Sequence, residues 1–482
     1  MMLGRKQLLI GGEWRDATGG KTMPVVNPAT EEVIAEVAAA SKADVDAAVA
    51  AAQAARDGAW GQMAPRDRGR LIWKLGERLM EKADEVARLE TLHNGKPIME
   101  SRHIEIPMAA ECLQYFAGWA DKIQGETVPV RGKMLVYTQR EPLGVIAAIV
   151  PWNFPLLLAV WKVAPALATG NAVILKPASQ TPLTALALGE LATEVGFPPG
   201  ALNIVTGSGA TTGQAIVEHP GIAKVAFTGD TSTGRGIMRS AAETLKHITL
   251  ELGGKSPNIV FPDADLDAAV RGATVGIFYG KGEVCAAGSR LLVDKSIKDQ
   301  FIAKVAERTK KMVPGDPLDP KTRLGAISSK SQLERVLGYI ETGRKEGASL
   351  VAGGSRADIG TGKGYFLQPT VFADVTPTMT IAREEIFGPV LAAIEFADVD
   401  EAIARANDSI YGLAAGVWTK DIKKAHYVAS RLQAGTVWVN TYNVYDTAAP
   451  FGGYKQSGFG RELSQHALDY YTQVKAVWVD LG

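Results

Sequence analysis

The sequence predicts an α/β fold with two doubly wound parallel sheets and a small separate β segment, and three observations carry the prediction. From residue 143 onward, short apolar runs alternate with helix-length amphipathic stretches: "GVIAAIV", "AVILK", "LNIVT", "KVAFT" and "ITLEL". This is the rhythm of strand, turn and helix that builds a parallel sheet covered on both faces. A second series begins near residue 257 with "NIVF", "RLLV", "VLAAIEF", "AAGVW" and "TVWVN". At 482 residues the chain is also too long for one compact core, so each series takes its own domain.

The elements follow in order. The first 40 residues alternate short apolar runs with turn signals such as "IGGEWRDATGGK" and "VNPATEE", a small strand-rich entry. Ser41 with Asp44 three places on forms a capping box that opens the helix "KADVDAAVAAAQAAR". Leu71, Ile72, Leu75 and Leu79 mark the apolar face of the next helix. Residues 123–142 read as a hairpin, and the chain closes on "VKAVWVDLG", an alternating strand with no obvious partner nearby in sequence. Exposed strand edges are usually covered by another element or subunit, so a homo-oligomer is expected.

Composition removes several functions. Lys plus Arg and Asp plus Glu both count 52, so no global field draws the protein to nucleic acid or anionic lipid. Pro142 through Trp161 is uncharged over 20 residues, long enough to test as a membrane span. Pro151 and Pro155 bracket Asn153 and would break such a helix, so a strand, a turn and a buried helix are expected instead. Two cysteines, Cys112 and Cys285, are too few for a disulfide framework and fit a reducing cytoplasm. The apolar run at the N-terminus is too short for a secretory signal.

Five segments carry candidate chemistry. "GSGATTG" at 207–213 places its third glycine one position late for a dinucleotide fingerprint and by itself reads as a turn. In "KVAFTGDTSTGRG", Gly229 and Gly234 flank a helix N-terminus whose free amides suit a pyrophosphate; Asp230 or Thr231 merely capping the helix accounts for it equally well. Cys285 lies among Gly280, Gly282, Ala286, Ala287 and Gly288, small neighbours that let a substrate and a flat ring approach the sulfur. A buried cysteine is more often an inert small hydrophobe. Glu251 closes the strand "HITLEL" at its carboxyl end, where open α/β sheets place their sites, and Asn153 in "PWNFP" is either a packed turn residue or an amide donor to an oxyanion.

"PWNFP", "KPASQTP", "FTGDTSTGR", "LELGGKSPNIV", "GEVCAAGSR", "EEIFGPV" and "PFGGYKQSGFGRE" stand in the order and spacing of the aldehyde dehydrogenase superfamily, which the chain resembles over essentially its whole length. The resemblance implies two Rossmann-like domains: residues 1–122 and 143–253 for the dinucleotide, 254–456 for catalysis, with 123–142 and 467–482 as oligomerisation segments. It implies Cys285 as nucleophile, Glu251 as general base, Asn153 as oxyanion donor, and Lys162 and Glu462 in proton movement. It implies NAD or NADP held by Val150, Pro151, Trp152, Lys176, Ser179, Gly209, Gly213, Phe227, Thr228, Gly229, Asp230, Thr231, Gly234, Leu252, Glu385 and Phe387. The aldehyde tunnel would be Phe154, Leu157, Leu158, Trp161, Tyr279, Val284, Ala286, Tyr442, Tyr445 and Phe451, which favours an apolar or aromatic aldehyde. No metal is expected, because neither H-E-x-x-H nor a cysteine and histidine cluster occurs.

The chain also departs from the family. Ser179 stands where many NAD-preferring members carry glutamate, so NADP is expected to be accepted. Asp230 replaces a serine that usually meets the pyrophosphate, and must turn away to cap the helix or the cofactor must sit differently. Gly280 and Glu283 replace the commoner asparagine and glutamine, and an ionised Glu283 near Cys285 would raise the thiol pKa and shift activity to alkaline pH. Members that acylate coenzyme A tend to lack the glutamate base, so Glu251 favours hydrolysis to the free acid. A catalytically silent structural protein of the same fold is the remaining alternative, and retention of Cys285, Glu251 and Asn153 argues against it.

Overall fold

A computed structural model describes residues 2–482. All ten apolar runs read from the sequence are strands. Every residue of Val145–Ile149, Ala172–Lys176 and Lys224–Thr228 is buried, as expected for parallel strands covered by helices on both faces. The first sheet has eight strands, with a parallel centre in the order His247–Glu251, Lys224–Thr228, Val145–Ile149, Ala172–Lys176, Leu202–Ile204. Leu8–Ile10 and Glu13–Arg15 extend one edge. On the other edge Gly458–Phe459 pairs antiparallel with His247–Glu251, so a late segment of the chain returns to the first sheet.

The uncharged stretch folds as expected into a strand, the turn 150–154, and the helix Pro155–Ala168, all 14 of whose residues are buried. Proline at its first position suits a helix start, where the missing amide hydrogen has no partner to lose. No described helix is long and apolar enough to cross a membrane. The capping box at Ser41 is present in both directions, and Ile72, Leu75 and Leu79 are fully buried on the face of Pro65–Glu81.

The second sheet runs in the order Ser349–Ala352, Thr370–Ala373, Val390–Phe396, Arg290–Asp294, Pro257–Val260, Ala414–Trp418, Thr436–Val439, parallel except at the first strand. Its first two strands were not read from the sequence. The terminal strand Thr472–Asp480, which has no obvious partner nearby in sequence, pairs antiparallel along its whole length with Met134–Pro142. Thr127–Val128 holds the other edge of Met134–Pro142 and completes the expected hairpin. Some 330 residues separate these two strands, so no local turn could have announced the pairing.

In the first sheet, the chain leaves Val145–Ile149 toward one side through Ala172–Lys176 and Leu202–Ile204, then returns to the other side through Lys224–Thr228. Connections therefore diverge between Val145–Ile149 and Lys224–Thr228, and a crevice opens beyond their carboxyl ends.

Candidate active site

The crevice holds a chamber of about 320 Å³. Pro151, Trp152 and Asn153 follow one strand into it, and Thr228, Gly229 and Asp230 follow the other. Glu251, Leu252 and Gly253 enter from the end of His247–Glu251, while Glu385 and Phe387 reach across from the second sheet's side. Val150, Lys176, Ser179, Gly209, Gly213, Phe227, Thr231 and Gly234 are not on its wall. Lys176 ends the neighbouring strand, and a Cβ on Gly213 would lie 3.6 Å from Lys176 Cε. Ser179 is partly exposed, and its hydroxyl donates to Gln180 at 3.2 Å.

Burial, without a facing carboxylate, pushes the Lys176 ammonium down to about 8. Gly234 allows the first helical turn to approach Leu252, since a Cβ there would lie 2.7 Å from Leu252 Cδ2. The helix Thr231–Ala242 begins at Asp230, whose carboxylate accepts from the backbone N–H of Ser232 at 2.8 Å and of Thr233 at 3.2 Å. The free amides expected here for a pyrophosphate are therefore taken by the chain's own anion, and capping is what Asp230 does.

A second cavity of about 370 Å³ lies on the other side of the Asn153 turn. Phe154, Leu157, Leu158, Trp161, Tyr279, Val284, Tyr445 and Phe451 line it as expected. Phe451 packs edge-on against Trp161 and Tyr445, with ring centres 5.5 and 5.6 Å apart, and Phe154 stacks with Tyr279 at 6.1 Å. No charged side chain is on the wall. Two expected residues are not there either. Tyr442 is buried behind the nucleophile segment, and its hydroxyl donates to the Ala286 carbonyl at 3.0 Å, so both support the wall from behind. Ile104, Met108, Val275, Asn443 and Val444 complete the cavity and were missed.

Cys285 is the one residue on the walls of both cavities. The chain also matches the aldehyde dehydrogenase family model over residues 14–477. It belongs to the aldehyde dehydrogenase family. Human mitochondrial aldehyde dehydrogenase is 51% identical over 476 residues, 98% of this chain and 92% of that one. A solved NAD+ complex of the aldehyde dehydrogenase from Bacillus cereus is 51% identical with a TM-score of 0.98, covering 99% of this chain and 97% of that one. The P. syringae indole-3-acetaldehyde dehydrogenase AldA, solved with NAD+ and IAA, is 46% identical with a TM-score of 0.97 over 99% of this chain and 97% of that one.

Within this aldehyde dehydrogenase, buried ionisable groups surround the thiol. Burial, then the nearby Glu251 and Glu385 carboxylates, push the Cys285 thiol well above its ordinary value. Glu251 is 2% exposed, neither of its oxygens has a hydrogen-bond partner, and burial raises it to about 7 against the pull of Lys162. Lys162 Nζ donates to Glu462 Oε1 at 2.5 Å in a buried pair. Asn153 donates one side-chain N–H to the Glu283 carbonyl at 2.9 Å and keeps a second, while its Oδ1 has no partner. Burial raises Glu385 to about 7, and its carboxylate accepts from the Gly254 N–H at 2.9 Å.

The expected effect of Glu283 on the thiol is not seen. Its carboxylate pairs with Lys281 at 2.8 Å and accepts from the Ser328 N–H at 3.0 Å, and the anions that act on Cys285 are Glu251 and Glu385. Two chamber residues, Gln332 and Arg335, come from the helix Lys330–Lys345 and were also missed. Gln332 donates to the Phe387 carbonyl at 2.6 Å and Arg335 to the Glu385 carbonyl at 3.1 Å. Among the described residues, no group of three or more His, Cys, Asp or Glu side chains could hold a metal ion.

Proposed function

We propose that this chain oxidises an apolar or aromatic aldehyde to its carboxylic acid with NAD(P)+, through a thiohemiacetal and then a thioester on Cys285. The observation that carries the reading is that Cys285 alone faces both an uncharged aromatic cavity and a polar chamber at the sheet's switch point. The chamber's chemistry fits a dinucleotide. The buried Thr228 hydroxyl on its wall lacks a partner, and Gly253 presents a bare Cα to the Glu385 carboxylate. Lys176, Ser179, Thr228, Leu252, Glu385 and Phe387 would hold the cofactor, which when bound supplies the hydride acceptor. Phe387 adopts φ 59° and packs edge-on against Trp152 at 5.3 Å.

The protein's own part begins with the Cys285 thiolate, whose sulfur bonds the aldehyde carbon as the carbonyl π bond breaks. The second Asn153 N–H and the Cys285 backbone N–H stabilise the oxyanion. After oxidation, Glu251 takes a proton from water as the oxygen attacks the thioester carbon and the C–S bond breaks, returning the thiolate and releasing the acid. A carboxyl raised to about 7 suits that work, because it accepts a proton readily and is ionised above neutrality. Lys162 and Glu462 then carry the proton away from Glu251. Glu251 also disfavours the alternative in which coenzyme A takes the acyl group.

The reading extends to the whole chain. Residues 1–122 and 143–253 form the cofactor domain and 254–456 the catalytic domain, supported by the two separate sheets. Residues 123–142 and 467–482 form an oligomerisation surface, supported by exposed Val474 and Trp478 on a three-stranded sheet. NADP is accepted because no carboxylate occupies position 179 to repel a 2′-phosphate. Both cysteines are free thiols, which suits a cytoplasmic protein. The deciding experiment follows reduced-nicotinamide absorbance across aliphatic and aromatic aldehydes with each cofactor. Turnover that disappears in Cys285→Ala supports the reading. No turnover by the intact chain on any aldehyde, or turnover that survives Cys285→Ala, ends it.

A further inference from the structure

We infer that the buried Lys281–Glu283 ion pair, fastened to Asn94, is a positioning device that aims the Asn153 amide at the substrate's carbonyl oxygen. The inference rests on the reading of Asn153 as oxyanion donor.

The segment leading to the nucleophile is bent through three consecutive left-handed residues, Gly280, Lys281 and Gly282, at φ 56°, 63° and 71°. Two glycines adopt this conformation freely, whereas a lysine is strained there and stays only if its surroundings hold it. They hold it at its far end. Lys281 Nζ donates to both the backbone carbonyl and the side-chain oxygen of Asn94, each at 2.8 Å, and pairs with the Glu283 carboxylate at 2.8 Å. Lysine and glutamate are each only 1% exposed.

Asn94 closes the circuit. Its side-chain amide donates to the Trp152 carbonyl at 2.7 Å and more weakly to the Asn153 carbonyl at 3.4 Å. Lys96 Nζ donates to the same Asn153 carbonyl at 2.7 Å while paired with Glu105 at 2.5 Å. Asn153 then donates one amide hydrogen to the Glu283 carbonyl at 2.9 Å, which sets the plane of its amide and the direction of the remaining N–H. Two buried ammoniums thus converge on one peptide turn. The pair also ties the Asn153 turn to the segment two residues before Cys285. A solvated ion pair could not do this, because its side chains would be mobile and its charges screened.

The test uses the full-length enzyme with Lys281→Gln, Glu283→Gln, the double variant, Glu283→Asp and Asn153→Ala. Each glutamine single leaves a buried charge without its partner, and should lower kcat and kcat/KM together by about tenfold or more, with KM for NAD+ unchanged. The double variant replaces the pair by two neutral amides and should recover to within about threefold of the parent. Glu283→Asp keeps the charge on a shorter arm and should lose kcat with little change in melting temperature, which covers the case in which a glutamine single fails to fold. Parental kcat in the singles or in Glu283→Asp, beside an inactive Asn153→Ala, overturns the positioning role alone. So does a double variant no better than its worse parent. Parental kcat in Asn153→Ala overturns the oxyanion reading and this inference with it.

Discussion

In the proposed reaction the Cys285 sulfur works as a thiolate, yet burial and two carboxylates oppose its ionisation. The free enzyme should therefore show thiol alkylation with a pKa above the ordinary cysteine range, and Glu251→Gln should move it down by removing the larger of the two repulsions. The corresponding activity profile rises with pH, because Glu251 is a base only when deprotonated and titrates at about 7. Steady-state rates from pH 6 upward check this. Glu251→Gln should also separate the two half-reactions, leaving one equivalent of reduced cofactor per site in a burst and slowing later turnover by about 10²–10⁴-fold. Rapid-mixing absorbance reads both phases. Cys285, Glu251 and Asn153 were each legible from their segments together with the family motifs. The role of Glu283 was not, since its effect depends on Lys281 folding back to meet it through a left-handed turn.

At the scale of elements, most of the buried parallel strands were legible, because continuous apolar runs between turn signals have few other uses, although the fully buried Thr370–Ala373 was missed. Ser349–Ala352 is partly exposed and antiparallel, and it escaped notice for that reason. The helix Lys330–Lys345 was readable as amphipathic, but its polar face does not show in sequence which residues meet solvent and which meet the chamber. Arg335 is expected to matter there. Arg335→Ala releases the Glu385 carbonyl and removes the only cation on the chamber's wall, so KM for NAD+ should rise several-fold with little loss in kcat; steady-state titration of the cofactor reads it. The terminal strand carries a related prediction. Val474, Ala476 and Trp478 alternate onto one exposed face, and, if the proposed oligomer forms through it, Val474→Lys with Trp478→Lys should shift the protein toward a 51.2 kDa monomer by light scattering.

Across the whole molecule, burial raises several carboxyls above their ordinary range, among them Glu100 to about 8, and Glu105, Glu251 and Glu385 to about 7. In each case the folded state binds a proton that the unfolded chain has released. Their contribution to stability is therefore complete below the unfolded value of 4.5 and declines as pH rises through 7 to 8. Glu100 lies outside both cavities, and one of its oxygens has no partner. Glu100→Gln should flatten the fall of melting temperature between pH 5 and 8 and leave the variant more stable than the parent at the alkaline end. Scanning calorimetry across that range is the measurement.

The sequence by itself determined that there are two sheet-forming series, where most of their strands lie, and which family motifs the chain carries. Those properties reside in runs of five to fifteen neighbouring residues, where hydrophobic period and turn chemistry act locally. Only the tertiary structure decided that Thr472–Asp480 pairs with Met134–Pro142, that Asp230 caps its own helix, and that Cys285 stands between two cavities. Burying Lys96, Lys281 and Glu283 around Asn94 and Asn153 was likewise invisible. A charged side chain in sequence reads as solvated, and it becomes a strut only when residues from distant segments supply its counter-charge and take its place in water.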